Sequence, residues 1–299
     1  MVNFAQNLLL MTSFEPKELS VQKLHGLLLS AVAPRPIAFA SSIDADGNPN
    51  LSPFSFFNVF SANPPILIFS PARRVSNSTT KHTLENAKQT KEVVINVVNY
   101  DMVQQMSLSS TEYAEGINEF DKAGLTMVKS DLVKPFRVGE SPVQFECKVN
   151  DVIELGQEGG AGNLIICEVV KLHITEEVLN EDETINQEAL DLVARAGGSY
   201  YTRANKGFFE IPKPLRNLGI GVDALPESVK NSMILTGNDL GMLGNVESLP
   251  TKQSVEEFLN SLSEHHPNIK KMTHREKHKI AKNYLSFGDV DSALKLLLS

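Results

Sequence analysis

The sequence predicts a mainly β fold with helices, an antiparallel barrel or sandwich followed by an α-helical C-terminal part. Three observations carry this reading. Val143, Phe145, Cys147, Val149, Ile153 and Leu155 fall on odd positions with Gln144, Glu146, Lys148 and Asn150 between them, the period of a half-buried antiparallel strand, with Asp151 as the exception. Between Pro36 and Val98, short β-branched and aromatic runs are separated by tight-turn residues. Helix-capping patterns gather after Pro214.

The elements follow in order. Residues 37–42 (IAFASS) read as a strand leading into the turn Asp44-Ala45-Asp46-Gly47-Asn48, and residues 66–70 (ILIFS) and 93–98 (VVINVV) as two more. Between the last two, Lys81 to Ala87 reads as a short helix beginning near Thr80, with Thr79 and Thr80 available to cap it. A second polar-capped helix follows Asp101, from Met102 to Leu108, and residues 112–133 read as loop and short helix. Residues 156–162 (GQEGGAG) turn the odd-position strand into residues 164–174 (LIICEVVKLHI), forming a long hairpin whose glycines are turn glycines, since no helix follows them to take a phosphate. Ser254-Val255-Glu256-Glu257 and Thr273-His274-Arg275-Glu276 match the capping box. Val255, Phe258, Leu259 and Leu262 line one helix face, and Ala281 to Leu294 reads as helix, turn, helix around Gly288. One such helical pair cannot bury its own face, so it is expected to pack on the barrel or on a partner.

Composition narrows the function. The chain has 299 residues and 28 Lys and Arg against 36 Asp and Glu, a net charge of -8, so no whole-chain basic field exists to hold nucleic acid or an anionic membrane. Cys147 and Cys167 form no CxxC pair and read as small core residues, as in a reduced cytosolic protein. The apolar run Leu8 to Met11 is too short for a secretion signal, and no stretch approaches the ~20 residues of a membrane span, so a soluble, cytoplasmic protein is expected. Gly219-Ile220-Gly221-Val222-Asp223-Ala224 fits GxGxxA with Asp239 downstream, but Lys213 to Asn217 cannot supply the buried strand a dinucleotide fold needs. His274 and His278 have the spacing of metal ligands, yet Arg275 replaces the protease glutamate. Lys270, Lys271, Lys277, Lys279 and Lys282 crowd the segment, which reads as a solvated basic face.

One cluster points to a ligand. Pro34-Arg35-Pro36, Ser52-Pro53-Phe54-Ser55-Phe56-Phe57-Asn58, Ser70-Pro71-Ala72-Arg73-Arg74 and Lys81, Thr83 and Asn86 combine rings, hydroxyls and four cations near strand ends and a helix start. Such parts suit a planar aromatic body with an anionic tail, the phosphate taking bonds from Lys or Arg, a hydroxyl and helix amides. An equally good structural reading makes Phe54, Phe56 and Phe57 core residues and lets Pro34 and Pro36 stiffen a strand entry.

These residues carry a resemblance. Val32-Ala33-Pro34-Arg35-Pro36-Ile37-Ala38, Asp46 to Asn58, Asn63-Pro64-Pro65, Lys81-His82-Thr83-Leu84-Glu85-Asn86, Glu119 to Leu125, Glu140-Ser141-Pro142 with Glu146-Cys147, and Gly197 to Tyr201 occur in an order similar to the flavin reductase-like, FMN-binding split-barrel family. The resemblance covers residues 24–214. It implies a six-stranded antiparallel split β-barrel over residues 1–214, with residues 215–299 as a loop and α-helical extension. It further implies a homodimer with FMN near the subunit interface. Arg35, Pro36, Ser52, Ser55, Phe56, Phe57 and Asn58 would then line the isoalloxazine and ribityl region, and Ser70, Lys81, Thr83 and Asn86 would lie toward the phosphate. The commoner family motif has Asp where this chain has His82, which alters a cap or a charge pair without removing the site.

The implied activity is that of an NAD(P)H:flavin reductase-like oxidoreductase, with hydride passing from NADH or NADPH to flavin N5. The nicotinamide stacks on the flavin, so neither a dinucleotide domain nor a general acid or base is required. A partner monooxygenase or another electron acceptor would take the product. The alternative is a non-catalytic FMN-binding electron-transfer or interaction protein whose C-terminal helices dock a partner.

Overall fold

The structure, a computed structural model, describes residues 10–114, 116–212 and 218–299. The boundary expected at Pro214, the Lys213 to Asn217 run and the start of the Leu8 to Met11 run lie outside the described residues. The chain divides into two units, Thr12–Phe209 and one within Glu210–Ser299. No helix among the described residues is long and apolar enough to cross a membrane.

The first unit runs α1 (Val21–Ala31), β1 (Ala38–Ile43), β2 (Pro49–Phe54), β3 (Phe57–Ala62), β4 (Pro65–Phe69), α2 (His82–Thr90), β5 (Glu92–Asn96), α3 (Val103–Leu108), α4 (Glu119–Ala123), β6 (Met127–Val128), β7 (Arg137–Val138), β8 (Val143–Glu154), β9 (Asn163–Ile174), α5 (Gln187–Leu190), β10 (Leu192–Arg195) and β11 (Tyr201–Ala204). Seven strands form one antiparallel sheet in the order β2-β1-β5-β8-β9-β4-β3. The two edge strands, β2 and β3, are separated in sequence only by Ser55 and Phe56. In a flat sheet those edges would lie about 29 Å apart at ~4.8 Å per strand, whereas three Cα steps reach at most ~11 Å, so the sheet must curl until its edges meet. They meet without pairing in the strand order, which makes this a split barrel.

Six strands were expected and seven form. A strand not singled out from the sequence is β3, where Phe57, Val59 and Phe60 are good strand formers and the segment pairs antiparallel with β4. The expected helix after Thr80 starts instead at His82, with Lys81 at the N-cap and no side-chain cap, and α3 likewise begins without a cap from Asp101. The barrel interior holds Ala38, Ala40, Phe69, Leu84, Ile95, Cys147, Ile165 and Cys167. Burial pushes both thiols well above their ordinary range. A second layer, with Phe39, Leu51, Met102, Met106 and Phe120, packs between the outer face of β1 and β2 and the helices α3 and α4, so β1 is buried on both faces.

The hairpin of β8 and β9 forms as the periodicity indicates, with two departures. The register shifts between Val149 and Asp151, and this β-bulge inverts the alternation, so Ile153 and Leu155 face outward rather than continuing the inner row. Gln144 and Glu146, expected at the solvent face, are buried because residues 130–138 cover them. The Glu146 carboxylate accepts the amide hydrogens of Asp131 (2.8 Å), Leu132 (2.6 Å) and Val133 (3.1 Å) and meets His173 Nε2 at 2.7 Å. Burial pushes this carboxyl up, and the amides and His173 outweigh it, holding it below the ordinary carboxylate range.

The second unit contains α6 (Glu227–Lys230), α7 (Gly237–Gly244), α8 (Lys252–His265), α9 (His274–Ser286) and α10 (Val290–Leu297). They enclose their own core, with Leu243, Ile269, Ala281, Leu285, Leu294 and Leu296 at its centre. The Thr273–Glu276 capping box forms, but α8 is capped by Thr251 rather than Ser254. Asp239 completes an unforeseen capping box with Thr236. The GxGxxA glycines serve backbone packing: a Cβ on Gly219 would sit 2.9 Å from the Gly244 carbonyl oxygen. The basic face of α9 is only partly solvated, since Lys277 and His278 are buried. His278 Nδ1 lies 2.7 Å from Ser232 Oγ, and its Nε2 has no hydrogen-bond partner among the described residues.

Two predictions follow from these buried groups. Glu146→Gln should lower stability by about 2 to 4 kcal/mol in urea unfolding, because it weakens three amide contacts made to a buried charge. The Glu146 contribution is present above the ordinary glutamate pKa and is lost as pH falls through the lowered folded value. Burial and the neighbouring His274 push His278 below the usual imidazole value, so the folded state favours its neutral form. Hydrogen-exchange protection of residues 225–297 should therefore be constant above about pH 6.5 and fall as pH drops below it. His278→Gln should remove that dependence.

Candidate flavin site

The site begins where the barrel edges meet. Arg35, which forms a bridge with Arg195 just before β1, is buried. Its guanidinium donates to the carbonyls of Leu29, Val32 and Ala196 (3.3 Å for the last), and its Nε reaches Ser55 Oγ at 3.5 Å. Burial, and then Arg195, lower its pKa. Arg35 thus ties the end of α1 to the Ser55–Phe56 crossing, and its charge is already engaged. Phe56 is exposed and meets the His25 ring edge-on at 6.4 Å, while Phe54 stacks against Phe69 at 5.4 Å. The aromatic run is divided: Phe54 and Phe57 pack against the core, and Phe56 and Asn58 face out.

The second half is the loop from Ser70 to Lys81, joined to the crossing by a 2.8 Å hydrogen bond from the Ser70 amide to the Phe56 carbonyl. Arg73 donates to Ser78 O (3.2 Å), Gly156 O (3.3 Å), Gln157 Oε1 (2.9 Å) and Glu154 Oε2 (2.8 Å). Lys88 and then Arg73 hold the Glu154 carboxyl down at about 2. Arg74 donates to Thr79 Oγ1 (3.0 Å) and the Thr80 carbonyl, and Thr79 lies two residues before the Lys81 N-cap of α2. Arg74 Nε (2.8 Å) and Lys81 Nζ (3.1 Å) share a single oxygen, Oε1 of Glu112, and the two together lower the Glu112 pKa. The glycine-rich turn buttresses this loop: Arg73 N–H donates to Ala161 O at 2.8 Å, Gly160 N–H to Arg73 O at 3.0 Å, and Gly160 adopts φ +90°.

Thr83 and Asn86 point away from the basic loop. Asn50 Nδ2 donates to Thr83 Oγ1 (2.9 Å) and to Ser42 Oγ (3.2 Å), and Asn86 Nδ2 donates to Ser42 Oγ (3.1 Å). This buried network pins α2 to β1 and β2, on the same strand face as the half-buried Ser52. Pro36 is exposed beside Arg35. Ser70 is buried, its hydroxyl accepting from the Asn163 amide at 2.9 Å. The anticipated residues thus fall into two linked neighbourhoods, with Thr83 and Asn86 behind them. Glu112 escaped the sequence reading, and nothing in its local sequence marks it. Asp131, Glu146 and His173 offer three ligand atoms within 4.8 Å, but Glu146 is spent on backbone amides and Asp131 pairs with Lys171, so the group is a loop anchor.

Comparison with known proteins places the fold in a family. Residues 30–200 match the flavin reductase like domain. An uncharacterized protein of Aquifex aeolicus is 37% identical over 191 residues, which cover 64% of this chain and 95% of that one. Nitrilotriacetate monooxygenase component B from Bacillus cereus superposes with a TM-score of 0.63 at 28% identity, covering 67% of this chain and 99% of its own. A protein assigned as a flavin reductase with a split barrel domain, from Shewanella frigidimarina, gives 0.58 at 25%, covering 68% and 100%. Fold and domain match together define a split-barrel protein of the flavin-related oxidoreductase class. The chain belongs to the flavin reductase like family, with residues 210–299 beyond the matched domain.

A Cβ at position 159 would lie 2.7 Å from the Val75 carbonyl oxygen and 3.0 Å from that of Arg74. Gly159→Ala should cost about 1 to 3 kcal/mol in urea unfolding by displacing the basic loop. It should also weaken phosphate-bearing flavins more than riboflavin in fluorescence titration.

Proposed function

We propose that the protein binds FMN in its first unit and works as a flavin reductase-like oxidoreductase that takes hydride from NADH or NADPH. The bond from the Ser70 amide to the Phe56 carbonyl carries this reading, because it joins the aromatic crossing to the start of the basic loop. The residues fit the cofactor. Phe56, Ser55 and Asn58 offer apolar surface and polar groups suited to a ring edge, while Arg74 and Lys81 already hold an anion, the Glu112 carboxylate.

Arg35, Pro36, Ser52, Ser55, Phe56, Phe57 and Asn58 are assigned to the ring and ribityl side, with Arg35 acting by orienting Ser55. Ser70 and Lys81 are assigned to the phosphate side, and Thr83 and Asn86 position α2 through Asn50 and Ser42. Bound FMN supplies hydride acceptance at N5. The chain's own part is to fix the crossing through Arg35, keep the basic loop in place through Gly159 to Ala161, and present positive potential toward an anionic ligand. No side chain has to gain or lose a proton.

A homodimer is supported by the exposed Leu27 and Leu28 of α1, Val59 and Phe60 of β3, and Tyr200. The likeness to a monooxygenase component supports a partner monooxygenase or another electron acceptor, in the cytoplasm. A second reading, an FMN-binding electron-transfer or interaction protein, is supported by the separate core of residues 210–299, whose helices would dock a partner.

Purified full-length protein should show flavin absorbance, or gain it on reconstitution with FMN. Anaerobic NADH or NADPH should then bleach it. Failure of both donors on flavin-loaded protein leaves the non-catalytic reading, and failure to take up flavin defeats both.

A further inference from the structure

We propose that Glu112 is an intramolecular occupant of the phosphate seat, which only a phosphate-bearing flavin displaces, so that this side chain sets the discrimination between FMN and riboflavin. The inference rests on the flavin reading above and adds to it a residue that the motif resemblance does not include. Glu112 comes from the segment between α3 and α4, and one of its oxygens takes both Arg74 Nε and Lys81 Nζ.

Arg74 has anchors of its own in Thr79 Oγ1 and the Thr80 carbonyl, and the Lys81 backbone is fixed as the N-cap residue of α2 while its Nζ meets Glu112 at 3.1 Å. The side chains of Arg74 and Lys81 are 21% and 30% exposed, whereas that of Glu112 is 58% exposed. The seat is therefore set into the loop, and its occupant lies on the water side, free to leave without disturbing the fold.

Charge decides the exchange. Glu112 brings one negative charge, which Arg74 and Lys81 favour by lowering its pKa from the ordinary carboxylate value. A phosphate monoester brings about 1.5 to 2 charges near neutral pH and three acceptor oxygens, so it outbids the carboxylate for the same donors. Riboflavin has no phosphate and leaves the Glu112 contacts intact. The carboxylate thus weakens FMN binding by the strength of its own two ion pairs while leaving riboflavin untouched.

Full-length wild type, Glu112→Gln and Glu188→Gln are titrated with FMN and with riboflavin, following the flavin fluorescence. Glu188 is an exposed carboxylate on α5, so its variant reports the effect of the same charge change away from the seat. Glu112→Gln should tighten FMN on the order of tenfold, with riboflavin unchanged and Glu188→Gln like wild type. Unchanged FMN affinity in Glu112→Gln, an equal gain for riboflavin, or the same gain in Glu188→Gln overturns the proposal while leaving the flavin reading in place. If neither flavin binds any of the three proteins, the flavin reading falls, and this inference with it.

Discussion

Two residues, Ser55 and Phe56, are all the chain available to connect opposite edges of a seven-stranded sheet. That shortness imposes the curvature, and the curvature creates an interior that Phe69, Ile95 and Ile165 fill and a seam where the edges come together without pairing. A seam is where backbone and rings remain available to something other than the barrel itself. Arg35 and Ser70 grip the crossing from two sides, so the part of the sheet under most geometric demand is also among its most firmly tethered.

Charge distribution follows a similar economy. Residues 12–209 contain 17 Lys and Arg against 25 Asp and Glu, while residues 210–299 contain 11 of each, so the whole net charge of -8 lies in the unit that would hold an anionic cofactor. In that setting the cations at and near the basic loop converge in pairs on single carboxylates: Arg73 and Lys88 share Glu154, and Arg74 and Lys81 share Glu112. A net charge therefore says little about a site whose local field is arranged by pairs a few ångströms apart.

What the sequence made legible was whatever local periodicity and capping decide. The odd-position row through Val149, the long hairpin, the turn glycine at 160 and the Thr273–Glu276 box form as their residue patterns indicate. The rings, hydroxyls and cations singled out in the sequence lie in two linked neighbourhoods, at the Ser55–Phe56 crossing and the loop from Ser70 to Lys81. What stayed hidden depends on partners distant in sequence. Gln144 and Glu146 look solvent-facing until residues 130–138 fold over them. Thr83 and Asn86 look like ligands until Asn50 and Ser42 meet them, and Thr79 looks like a cap until the helix starts at His82, too far along for it. β3 escaped the sequence reading because its ladder depends on a partner: the turn at Asn63-Pro64 and the pairing with β4 make it the first arm of a hairpin.

The β8 bulge has a consequence for how this family can tolerate insertion and deletion. Because the alternation inverts after Val149, Glu154 lies on the side that reaches Arg73 and Lys88, and Ile153 lies on the other. Removing one residue from the bulge would keep the hairpin's length and hydrogen bonding nearly intact, yet would swing an apolar side chain under Arg73 and turn its counter-ion outward. Strand length in β8 is therefore under an odd-or-even constraint, set by an arginine on a different loop, and chain lengths in this hairpin should change by two residues more readily than by one.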